Sequence, residues 1–147
     1  MAKEVLVEDE QLVTVTVYYR YKVNAHGVKQ FKILEEEEGK ELLAAGTAGV
    51  DSLTTWWTVP SWKPNNDMLR QSTFYSPSEG VNKMDWSKYQ ENTFKNCLKK
   101  WDVQDKEGKI IPITAENIGK LPTLLGNAVL DKYDKCLVLE DDERKKS

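Results

Sequence analysis

Between Gln11 and Leu34 the chain alternates with a period of two, and few folds accept such a run. Leu12, Thr14, Thr16, Tyr18 and Arg20 fall on one side of an extended backbone. Val13, Val15, Val17, Tyr19 and Tyr21 fall on the other. The second set is wholly β-branched or aromatic, which suits a half-buried pleated surface, so this side is expected to face a core. Asn24-Ala25-His26-Gly27 reads as a turn in which Gly27 can take positive φ. Val28, Gln30, Lys32 and Leu34 then alternate with Lys29, Phe31 and Ile33. The prediction is a long antiparallel hairpin, with a shorter strand at Glu4 to Val7 available to its edge.

The second half is patterned as helix. Asp85 is placed to cap the clearest stretch, Trp86 to Trp101, where Trp86, Tyr89, Phe94, Cys97, Leu98 and Trp101 form one apolar stripe. The run from Trp101 to Leu125 is a junction. Asp105-Lys106-Glu107-Gly108 is a polar turn between β-prone flanks and reads as a small hairpin. Thr114 stands where a helix N-cap belongs, with Glu116 in the first turn. Leu121-Pro122 closes that helix and opens a last one, to about Leu137, with Leu125, Ala128, Val129 and Cys136 on one face. Gly126 within it suggests a close approach. Between the halves, Glu35 to Ala45 stays open between loop and short helix because Gly39 interrupts it. Val50 to Pro60 reads as a strand, Asp67 or Asn66 as the cap of a short helix with Met68 and Leu69, and Tyr75 to Asn82 as loop. The predicted class is α+β: an antiparallel hairpin or small sheet over residues 1–63, then a helical part over residues 64–147 with a short hairpin between two amphipathic helices, all in one compact domain.

Charge excludes some partners. Among 147 residues with net charge −3, the clear runs are acidic, Glu35 to Glu38 and Glu140 to Glu143. Lysines are scattered, and Arg144-Lys145-Lys146 directly follows acids, so no basic stripe marks a nucleic-acid binder. No apolar run approaches the ~20 residues that span a bilayer, so no membrane partner is expected. The start, MAKEVLVEDE, lacks the basic-then-apolar pattern of a secretory signal. Cys97 and Cys136 fall on predicted apolar helix faces and read as buried free thiols of a reducing compartment.

A catalytic constellation is not legible. The one histidine, His26, lies in a predicted turn, and three scattered Cys and His residues do not make a zinc set. Phosphate-loop and dinucleotide fingerprints are absent from the sequence. Asp102, Asp105 and Glu107 do not follow the spacing of a calcium loop. No catalytic residue, metal or cofactor is therefore expected. The aromatic content is the stronger signal. Trp56, Trp57 and Trp62 cluster around Pro60, either as core packing or as exposed anchors, since Trp and Tyr are enriched at binding hot spots. With Trp101 and Leu125 they are the candidate partner-binding residues.

The run from Trp101 to Pro122 also resembles a pattern of tail assembly chaperones of long-tailed bacteriophages. In that pattern a helix ends in Trp, a D-x-x-G turn leads to P-x-T, and a helix opens at E-N-I-x-x-L-P. The matching residues are Trp101, Asp102, Asp105, Gly108, Ile111, Pro112, Thr114, Glu116, Asn117, Ile118, Leu121 and Pro122. The resemblance spans Trp86 to Leu137, about a third of the chain. It implies a non-enzymatic viral protein that holds tape-measure or tail-tube protein soluble in the host cytoplasm during tail morphogenesis. It is compatible with a homo-oligomer. The alternative is a structural virion accessory protein, such as a tail-completion, neck or capsid-associated component.

Overall fold

The computed structural model describes residues 3, 5–7 and 11–138. The alternating run forms β1 (Leu12–Val23) and β2 (Lys29–Leu34), antiparallel, with Tyr18 opposite Leu34 and Val23 opposite Lys29. Asn24 closes the turn: its Oδ1 accepts from the backbone N–H of His26 at 2.9 Å and of Val28 at 3.0 Å. Gly27 takes φ 79° there, a region that L side chains avoid. The predicted strand after Gly49 is β3 (Val50–Thr58), antiparallel to the other edge of β1. A fourth strand, β6 (Leu98–Trp101), pairs with β3, so the sheet order is β2-β1-β3-β6 and the architecture is α+β.

The predicted inward face is the one that carries the core. Val15 and Val17 of β1 and Leu53 and Trp57 of β3 are buried with Leu125, Val129, Leu130 and Tyr133 of α5 (Thr123–Leu137). Phe94 and Cys97 of α3 (Trp86–Cys97) and Met68 of α2 (Trp62–Gln71) complete the same cluster. One core thus draws on both halves of the chain, each large buried side chain contributing about 1.5–3 kcal/mol. The opposite face is covered at one end by α1 (Glu36–Ala44). There Gly39 lies against Tyr18, and Leu34 and Val50, on the same side by register, are buried. The open stretch at Glu35 to Ala45 is therefore a helix, and Gly39 is its point of contact with the sheet. The close approach expected at Gly126 is absent: nothing lies within 4 Å of a Cβ built there.

The long predicted helix from Trp86 to Trp101 is wrong at its C-terminal end. α3 stops at Cys97, and Leu98 to Trp101 peel away as β6. A bulge between Trp56 and Trp57 sets Trp101 opposite Thr55 and Leu98 opposite Trp57. Leu98 and Trp101 are both buried although three residues apart. In a regular strand residues three apart point to opposite faces, and in a helix they share one. The bulge therefore reproduces helical spacing in a strand, which is why the stripe misled. Asp102 extends the ladder: its N–H donates to the Thr54 carbonyl at 3.1 Å, and its Oδ1 accepts from the Thr54 N–H at 2.9 Å.

Other boundaries also move. α2 opens at Trp62, ahead of Asn66 and Asp67, because Pro64 sits in a first turn that needs no N–H donor. The predicted loop from Tyr75 to Asn82 is a two-stranded hairpin, β4 (Thr73–Ser76) and β5 (Val81–Met84), whose turn bonds Gly80 N–H to the Ser76 carbonyl at 2.8 Å. The turn at Asp105 forms, with Gly108 at φ 82° and Asp105 Oδ1 accepting from Glu107 and Lys109. Its flanks meet in one isolated bridge, Gln104 with Ile110, because Trp101 is already spent on β6 and Pro112 lacks a donor. Both predicted caps form: Asp85 accepts from Lys88 N–H at 3.0 Å, and Thr114 from Asn117 N–H at 3.1 Å at the start of α4 (Ala115–Gly119). Cys97 is buried as expected, whereas Cys136 is exposed, in the last turn of α5. Residues 5–7 form no strand, and the charged tail from Glu140 lies outside the described residues. No helix among the described residues is long and apolar enough to cross a membrane.

Candidate functional site

The structure separates the five residues proposed for partner binding. Trp57 is 0% exposed. Its ring stacks on Tyr133 with centroids 4.5 Å apart, and its Nε1 donates to Thr55 Oγ1 at 2.6 Å. Trp101 is 2% exposed, and its Nε1 donates to the Ile111 carbonyl at 2.6 Å. Leu125 is buried in the same cluster. These three are core residues, and a partner could reach the two indoles only by unfolding the protein. Trp56, next in sequence to Trp57, points to the opposite face of β3, where Lys100 Nζ lies 4.9 Å from its ring centroid. Trp62 is 79% exposed at the first position of α2.

Sequence reasoning missed a companion to Trp62. Trp86 falls in the apolar stripe by its spacing, yet it is 63% exposed. It too is the first residue of its helix, directly after the cap. Side chains at that position lie beyond the stripe that packs on the core, and this was the available signal. The two helices are tied together by Tyr89 Oη donating to Asn65 Oδ1 at 2.9 Å and Asn92 Nδ2 donating to Ser72 Oγ at 3.1 Å. Between them in sequence runs the β4–β5 hairpin, with Phe74 and Val81 on one face by register, both exposed. Residues 62–86 thus carry Trp62, Phe74, Tyr75, Val81 and Trp86, all open to solvent.

A second feature is a cleft of about 480 Å³ where the junction meets the sheet. Its floor is the outer end of the core-facing side: Tyr19, Tyr21 and Phe31, with ring centroids 5.7 to 6.2 Å apart. Asp51 and Asp102 line one wall, and Leu121 and Leu125 another. Leu125 therefore touches this space with little of its surface. Burial pushes the Asp102 carboxyl up; its backbone hydrogen bonds pull it back, and Asp51 adds to the rise. Burial first, then the charge of Asp51, pushes the Tyr19 phenol up to about 12.

The remaining perturbed groups belong to the core. Burial raises the Cys97 thiol and the Tyr133 phenol, whose Oη donates to the Thr58 carbonyl at 2.7 Å. A thiol held protonated is a poor nucleophile. Among the described residues no group of three or more His, Cys, Asp and Glu side chains could hold a metal ion. Compared with known proteins, the chain matches no family, no curated protein and no solved structure.

Proposed function

We propose that this chain is a protein-binding factor of the tail assembly chaperone kind. It covers apolar surface on a tape-measure or tail-tube protein in the host cytoplasm while the tail is built, and it has no catalytic role. The observation that carries this reading is the run of solvent-exposed apolar side chains over residues 62–86, with Trp62 and Trp86 heading the two helices that precede and follow the β4–β5 hairpin in sequence. Exposed apolar side chains concentrated in one stretch of chain are what a binding surface needs and what a monomer otherwise avoids. Rigid aromatics lose little conformational freedom on docking, so they suit the role of anchors. The net charge of −3 helps to keep a complex with an apolar client in solution.

The test is co-expression with the product of an adjacent long tape-measure reading frame. The wild-type chain is expected to keep that product soluble and to co-purify with it. The double variant W62A/W86A is expected to fold normally and lose the complex. A soluble tape-measure product in the absence of the chain, or an intact complex with the double variant, refutes the proposal. Stoichiometric presence in finished particles, by mass spectrometry, replaces the chaperone with the virion-component alternative.

A further inference from the structure

We propose that the cleft between the open end of the sheet and the Asp102–Leu125 junction binds a cationic side chain, specifically the guanidinium of an arginine carried by a protein partner. The inference stands apart from the chaperone reading, since it uses none of residues 62–86.

Three properties of the cleft carry it. The first is its floor. Tyr19, Tyr21 and Phe31 present three tilted rings within 6.2 Å of one another, and a cation over such rings is attracted by their quadrupoles. The second is its charge. Asp51, Asp102 and Asp105 line the space against a single ammonium, Lys29, on an exposed strand edge. Asp105 spends one oxygen on its own turn. Asp51 and Asp102 each accept one backbone N–H, from Ser52 at 2.8 Å and from Thr54 at 2.9 Å. Neither has an ion-pair partner among the described residues. Two carboxylates are thus fixed in direction by the backbone, with acceptor capacity left over for an incoming cation.

The third property is shape. A volume of about 480 Å³, open on one side, admits a planar head group with its aliphatic stem and leaves the peptide that carries it outside. Leu121 offers apolar surface for that stem. A guanidinium fits better than an ammonium because it stacks flat on a ring while its fork reaches carboxylates at the edge. An anionic group is repelled by this wall, and a neutral amide can donate a hydrogen bond to it but brings no charge.

The experiment is an NMR titration of the full ¹⁵N-labelled chain with N-acetyl-arginine methylamide. N-acetyl-lysine methylamide and N-acetyl-glutamine methylamide serve as comparisons. Saturable shifts are expected at the amides of residues 19–21, 31, 51 and 102–104, strongest with the arginine probe, weaker with lysine and absent with glutamine. D51N and D102N should each weaken arginine binding about ten-fold, the loss of one charge-assisted hydrogen bond. Asn at 102 retains the acceptor for Thr54, and Asp51 is exposed, so at least D51N keeps the fold. W62A/W86A should leave the titration unchanged. Absence of saturable shifts at these amides, an equal response to glutamine, a tighter lysine complex, or undiminished binding by D51N each overturns the proposal.

Discussion

Replacing Gly39 with Ala separates a helix-propensity argument from a packing argument by the sign of the result. Gly39 lies inside α1, an exposed nine-residue helix. Propensity alone makes Ala better than Gly at such a site by about 1 kcal/mol. The structure predicts the reverse. A Cβ built at Gly39 would stand 2.5 Å from Cγ and 3.1 Å from Cδ1 of Tyr18, and closer still to its Cβ. The first two atoms of the Tyr18 side chain cannot swing away without moving β1, so the helix must lift off the sheet. Such overpacking costs about 1–3 kcal/mol, and the lift also uncovers Leu34 and Val50. The net expectation for G39A is a destabilisation of about 1–3 kcal/mol, read as a lowered urea midpoint with unchanged slope. The control is Y18G, which removes the Tyr18 Cβ together with its ring. In that background the obstruction is gone, and G39A should become neutral or stabilising by up to about 1 kcal/mol. A stabilising G39A in the presence of Tyr18, or the same loss in both backgrounds, refutes the close-contact argument.

Trp57 and Trp62 should behave oppositely when cut to Ala: W57A should lose about 3–5 kcal/mol in denaturant titration, and W62A should stay within about 0.5 kcal/mol of wild type. Equal effects would mean that the assignment of core and surface is mistaken. The raised phenols predict an alkaline limit. A group whose folded pKa lies above its unfolded value stabilises fully below the unfolded value and loses that contribution as pH rises through the folded one. For Tyr19 the window runs from the ordinary 10.0 to about 12, and Tyr133 moves in the same direction, so stability should fall as pH rises past 10. Absorbance of tyrosinate should show both rings titrating late, and Y133F, which cannot ionise, should flatten the loss. The thiols differ as well: a thiol reagent should modify one cysteine, Cys136, in the native chain and two in denaturant. Fast modification of both without denaturant would show that the core around Cys97 opens.

Local chemistry was legible wherever one residue answers to its near neighbours. Strict alternation over Leu12 to Tyr21 determined a strand and named its core face, and Asn24 with Gly27 determined the turn. Asp85 and Thr114 announced two helix starts, because a cap is an interaction across three residues. Even the fates of Trp56 and Trp57 were readable. Adjacent residues of one strand point to opposite faces, so the pair could not be a single surface. Tertiary structure decided what depends on distant segments. Leu98 to Trp101 carry helical spacing, and only the free edge of β3, with its bulge, makes them a strand. Gly39 reads as a helix breaker until Tyr18, 21 residues earlier, requires the missing side chain. The acidic aromatic cleft draws on β1, β2, β3 and the junction before α5, so no window of sequence contains it. Periodicity and caps are set by interactions along a few residues of chain. Strand partners, close approaches and clefts are set by which surfaces the collapsed chain brings together.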